Sequence, residues 1–75
     1  MSKKLLTFEY NDTDDKIEIH ANELGIEYLI EQLEELLKNK NHLHLMTPSW
    51  GGDGLSEEKQ GEVNRLINHV KVFNW

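Results

Sequence analysis

Four histidines are the residues of this chain best able to do chemistry. His42 and His44 stand two apart in a stretch that alternates with Leu43 and Leu45. On a strand that spacing puts both imidazoles on one side. His20 and His69 fall in further alternating stretches and can join them. Imidazole nitrogens from several strands could hold a transition metal, with Glu18 as the one acid with a place beside them. Histidine is also an ordinary residue of a half-exposed sheet. His20, His42, His44 and His69 therefore stand as candidate ligands behind a preferred reading with no metal and no cofactor. Met46, Phe73 and Trp75 share the periodicity of that face, and a mixture of apolar side chains and histidine suits a contact surface. If His42, His44 and His69 sit together, protonating them near about pH 6 builds repulsion and lowers stability.

The second stretch with chemical content is Thr47-Pro48-Ser49-Trp50-Gly51-Gly52-Asp53-Gly54-Leu55. Its proline and glycines dictate a loop. A glycine-rich loop can cradle phosphate, but Asp53, Glu57 and Glu58 oppose an anion, and no lysine follows at the required place. The preferred reading makes Trp50 an anchor that closes the loop over an apolar surface. The functional one makes it an exposed interface hot spot, a role in which tryptophan is enriched. Ser49, His44 and Asp53 compose a triad on paper, yet nothing in their spacing suggests a nucleophile elbow or an oxyanion hole. Glu31, Glu34 and Glu35 lie on a solvated helix face, a poor place to raise a carboxyl pKa for acid–base work. No catalytic residue is assigned, and the chain is not expected to be an enzyme.

Charge and size narrow the partners. Fourteen acidic residues against eight basic ones leave a net charge of −6. That field repels phosphate backbones and argues against nucleic acid, while it favours basic proteins. There is no cysteine, so disulfides and thiolate sites are excluded. No apolar run is long enough to span a membrane, and Met1-Ser2-Lys3-Lys4 followed by Thr7, Glu9 and Asn11 does not read as a signal peptide. A cytoplasmic location is the expectation. The 75 residues form one domain, 1–75, with one small core.

The elements that must position these residues follow from periodicity. Leu6, Phe8 and Tyr10 alternate with Thr7 and Glu9, and Ile17 and Ile19 with Glu18 and His20, around the turn Asn11–Asp15. That is a hairpin signal. Asn22 suits a helix N-cap, and Ile26, Leu29, Ile30, Leu33, Leu36 and Leu37 recur at helical spacing. The helix spans about Glu23 to Asn39, with Glu23 and Glu27 at its start, Lys38 and Lys40 at its end, and Gly25 placed for close approach to a strand. His42 to Thr47 is a third strand, Ser56 can cap a helical turn through Gln60, and Leu66 to Trp75 is extended. The expected fold is α+β, a two-layer sandwich in which one helix covers one face of a four-stranded, mainly antiparallel sheet in the order β-β-α-β-β. Leu6, Phe8, Ile17, Ile19, Leu43, Leu45, Val70 and Val72 would meet the helix. The other face would be bare.

The run His42-Leu43-His44-Leu45-Met46-Thr47-Pro48-Ser49-Trp50-Gly51-Gly52, followed by Leu55-Ser56 and by Asn68-His69-Val70-Lys71, resembles the immunity protein 32 family. These are small proteins of bacterial polymorphic toxin systems. The resemblance implies a protein that binds a cognate toxin and blocks it, with Trp50, Gly51, Gly52, His42 and His44 as the marked positions. Together with the bare face, it makes Trp50, Gly51, Gly52, His42, His44, His69, Phe73 and Trp75 the expected partner-binding residues, and the acidic helix face the next candidate. Two other classes stand beside it. One is a homodimeric structural or regulatory module that uses its open face; the other is a small histidine metal-binding protein.

Overall fold

A computed structural model describes residues 3–39 and 41–75. Met1, Ser2 and Lys40 lie outside the described residues. Strand β1 (Leu6–Asn11) and strand β2 (Lys16–Ala21) form the expected hairpin, in register from Leu6 opposite Ala21 to Asn11 opposite Lys16. The Asn11 side chain accepts a bond from the Asp14 amide, and Asp15 closes the turn at a φ of 53°. Short acids and amides tolerate such a conformation.

Helix α1 (Glu23–Asn39) starts where the sequence places it. The Asn22 carboxamide oxygen accepts bonds from the Gly25 amide at 2.9 Å and from the Leu5 amide at 3.0 Å. One side chain thus caps the helix and ties it to the entry of β1. Gly25 backs onto the Leu5 carbonyl so closely that a β-carbon there would lie 1.9 Å from that oxygen.

Beyond the helix the sheet departs from expectation. There are five strands in two sheets among the described residues, ordered β2-β1-β4 and β3-β5, with β3 at His42–Met46, β4 at Arg65–Ile67 and β5 at His69–Phe73. Two local features break the single sheet. First, the extended stretch from Leu66 onward changes partner at Asn68. Its backbone carbonyl accepts the Thr47 amide and its side-chain oxygen the Thr47 hydroxyl, so the chain leaves β1 and joins β3. Second, Leu55 and Ser56 fill the gap between β1 and β3. The Leu55 amide donates to the Met46 carbonyl, the Ser56 amide donates to the Leu6 carbonyl, and the Ser56 hydroxyl accepts from the Leu6 amide. Residues Ser56 to Gln60 therefore run as irregular chain, not as the expected helical turn. The Thr47–Leu55 loop contains one short 3-10 turn, Pro48–Trp50, which Gly51 ends at a φ of 89°.

The core is small. Leu6, Leu45 and Leu55 are sealed, with Phe8, Ala21, Tyr28, Leu29, Leu43 and Val70 packed round them. Leu55, read as a loop residue, is only 2% exposed and is the true anchor of the loop. Ile17 and Ile19 are about half exposed, at 53% and 51%, against the expectation that they pack under the helix. The helix leaves β2 at Asn22 and packs against the Leu6–Leu45–Leu55 cluster, so the turn end of β2 stays uncovered. On α1 itself Gly25 and Leu36 are buried and Tyr28, Leu29 and Gln32 half-buried. The neighbouring stripe of Ile26, Ile30, Leu33 and Leu37 faces out.

Candidate functional site

The two sheet faces turned away from the core have opposite fates. On β1, Thr7, Glu9 and Asn11 alternate away from Leu6 and Phe8, yet all three are buried. The chain from Ser56 to Asn64 folds over them. Glu9 is fully enclosed, at 0% exposure. One carboxylate oxygen accepts the Thr7 hydroxyl at 2.6 Å and the Gln60 amide at 2.9 Å. The other accepts the Gly61 amide at 2.9 Å and the Asn64 side-chain amide at 3.0 Å. Burial alone pushes the Glu9 carboxyl up, but these four donors outweigh it and hold the pKa at about 2. Asn64 also donates to Glu18, which contacts His20 at 2.8 Å. The Glu18 carboxyl is held low, first by His20 and then by Asn64. This network was not foreseen, because Glu9 reads as an ordinary outward residue of an alternating strand. His20 belongs to it, and does not join the other histidines.

The outer face of β3 and β5 is open. Their antiparallel register sets His42 opposite Phe73, His44 opposite Lys71 and Met46 opposite His69. Leu43, Leu45, Val70 and Val72 alternate to the other side, as period two requires. The outward rings form an unbroken series. Trp50 lies 6.0 Å from His69, His69 stacks on His44 at 5.0 Å, and His44 meets His42 edge-on at 5.0 Å. His42 lies 5.4 Å from Phe73, which stacks on Trp75 at 5.7 Å. His44 Nδ1 and His69 Nε2 are 2.8 Å apart. The Lys71 ammonium sits 5.0 Å from the Phe73 ring centre, within cation–π range. Partial loss of water contact, then the fields of His42, Lys71 and His69, push the His44 pKa down, so it stays neutral at pH 7.

The expected site residues therefore divide. His42, His44, His69, Phe73, Trp75 and Trp50 share one surface. Trp50 is 58% exposed and Trp75 97%, so Trp50 does not close its loop over an apolar surface. Gly51 and Gly52 act through the backbone. Gly51 takes the left-handed turn that ends the 3-10 segment, and Gly52 lies where a β-carbon would meet the Met46 carbonyl at 2.8 Å. A further apolar groove, of about 380 Å³, runs between α1 and the end of β5, lined by Ile30, Leu33, Leu36, Leu37 and Phe73. The one signal for it in the sequence is that α1 carries more apolar residues than one core-facing stripe needs.

The one arrangement of three candidate metal-binding side chains among the described residues is Glu9, Glu18 and His20, whose ligand atoms lie within 4.8 Å of one another. Both Glu9 oxygens are already engaged there, and the Asn64 amide occupies the space between the two carboxylates. Among the described residues no helix is long and apolar enough to cross a membrane.

Comparison with known proteins adds one finding. No curated protein and no solved structure matches the chain. The family model for immunity protein 32 matches residues 16–70, which include His42, His44, Trp50, Gly51, Gly52 and His69 but not Phe73 or Trp75. With well over half of its length matched, the chain belongs to the immunity protein 32 family.

Proposed function

We propose that this protein binds a cognate bacterial toxin and neutralises it by occlusion, using the ring series on the outer face of β3 and β5. The observation that carries the reading is that series, unbroken from Trp50 through His69, His44, His42 and Phe73 to Trp75, which no other segment among the described residues covers. Six rings on one surface supply contact area, and aromatic side chains dominate binding energy at protein interfaces. A standard interface takes about 800 Å² from each partner, within reach of a chain this size. The net charge of −6 fits a basic toxin and would speed encounter with it at low salt. Nothing in this reading requires catalysis. The test is co-expression with candidate toxins from the same genome: the wild-type chain restores growth against one of them and co-elutes with it, whereas a Trp50→Ala/Phe73→Ala/Trp75→Ala chain does neither.

A second reading rests on a different surface. The outward stripe Ile26, Ile30, Leu33 and Leu37 favours a homodimer formed through α1. Sedimentation over a range of concentrations tests it, and Leu33→Glu would keep the chain monomeric. A monomer at every concentration would remove the dimer and leave the toxin reading intact.

A further inference from the structure

We infer that His44 and His69 form a cross-strand chelate for a divalent copper or nickel ion. The observation is geometric. His44 Nδ1 and His69 Nε2 approach to 2.8 Å from adjacent antiparallel strands. That spacing is the hydrogen bond between the rings, and a metal about 2.0 Å from each of two nitrogens, in neighbouring corners of a square plane, needs them no further apart, at about 2.8 Å, once the rings turn to aim both lone pairs at it. Copper and nickel prefer the tetragonal arrangement, and copper leads the affinity order for nitrogen ligands. The backbone pre-organises the pair. Leu45 is sealed in the core and stands between His44 and Met46, the residue paired with His69, so the register holds the two histidine backbones on one face as diagonal neighbours.

Metal binding replaces the contact between the two rings. The ring that donates its proton across the 2.8 Å gap moves it to its other nitrogen, and both rings then present lone pairs to the ion. Neither histidine changes charge, so no proton acceptor is needed. His42 stands one ring away, and its Nδ1 is engaged by the Asn41 side-chain oxygen at 2.9 Å. The remaining positions on the ion are open to water, or to an imidazole or carboxylate of a bound protein. The rival cluster at Glu9, Glu18 and His20 is a poorer site, because hydrogen bonds already occupy both oxygens of Glu9. The inference does not rest on toxin binding.

The experiment is titration of untagged protein with copper(II), nickel(II) and zinc(II), followed by calorimetry and by tryptophan fluorescence. The expected result is one ion per chain with affinity in the order copper, nickel, zinc. Copper should quench the emission, since the Trp50 ring lies 6.0 Å from that of His69. His44→Ala and His69→Ala should each weaken copper binding about tenfold or more, given that even outer-shell changes cost that much. His20→Ala should leave it unchanged. Electron paramagnetic resonance of the wild-type copper complex supplies a readout that needs no variant, and should show two equatorial imidazole nitrogens. Absence of stoichiometric binding, binding that survives loss of His44 and His69, dependence on His20, or a spectrum without two imidazole nitrogens would each overturn it.

Discussion

Two surfaces of this molecule look alike in sequence and end up opposite. The outer face of β1 and β2 carries Thr7, Glu9, Asn11, Lys16, Glu18 and His20; the outer face of β3 and β5 carries His42, His44, Met46, His69, Lys71 and Phe73. Neither is covered by the helix. The β1 half of the first is sealed, with the chain from Ser56 to Asn64 pinned over it by a carboxylate that receives four hydrogen bonds, while Lys16 on β2 stays exposed. The second stays open and lines up its rings. The difference is one of satisfiable polar groups. A loop can be drawn over a face only where its own amides find acceptors, and Glu9 provides them for Gln60 and Gly61. The outer face of β3 and β5, with His42, His44, Met46, His69, Lys71 and Phe73, carries no carboxylate and stays open.

The sharpest way to break the comparison is to remove the pin. Glu9→Ala leaves the Thr7 hydroxyl, the Asn64 amide and two backbone amides without their acceptor. Hydrogen bonds to a charged group contribute about 1.5–3 kcal/mol each, so a loss of about 3 kcal/mol or more is expected in urea unfolding. Trp75→Ala, on the open side, should change stability by no more than about 0.5 kcal/mol. Next in size is Gly61→Ala. Its β-carbon would fall 2.1 Å from the Asn64 side-chain nitrogen, displacing the residue that links Glu9 to Glu18. A cost of about 1–3 kcal/mol follows, read by thermal melting.

Two pH limbs sharpen the contrast further. Glu9 has its ordinary pKa of 4.5 when unfolded and about 2 when folded. The unfolded chain therefore takes up the proton first, and the stability that Glu9 contributes above pH 4.5 is lost as pH falls toward 2. Glu18 and Glu57, also held low, act in the same direction. Unfolding measured across that range should show the fall, and Glu9→Gln should flatten it. The open face contributes a smaller limb at higher pH. The His44 pKa is lowered on folding from 6.5, so its share of stability is present above that value and declines as pH falls below it. Melting temperatures between pH 7.5 and 5.5 should fall slightly for the wild type, and His44→Gln should remove part of the slope.

What was legible in the sequence is what depends on neighbours along the chain. The hairpin, the Asn22 cap, the bounds of α1, the role of Gly25 and the alternation that gathers His42, His44 and His69 all follow from spacings of a few residues. What was not legible depends on residues about fifty positions apart. Glu9 is buried because Gln60, Gly61 and Asn64 reach it, and the sheet is split because Ser56 bonds Leu6. No period in the sequence encodes those meetings. Leu55 lies hidden among glycines, so the sequence points to Trp50 as the loop's anchor and not to the leucine that is sealed in the core. Ile17 and Ile19 alternate as core residues do, but one helix is too narrow to cover the whole hairpin.

The proposed function requires the open ring face, and not the sealed one, to grip the toxin. Calorimetric titration of the purified toxin domain with wild-type protein and with the Trp50→Ala/Phe73→Ala/Trp75→Ala variant, both shown to be folded by circular dichroism, tests it directly. The account predicts that the variant keeps its fold and binds about a hundredfold or more weaker, as loss of interface hot spots requires. A folded variant that binds the toxin within about threefold of the wild type would contradict it.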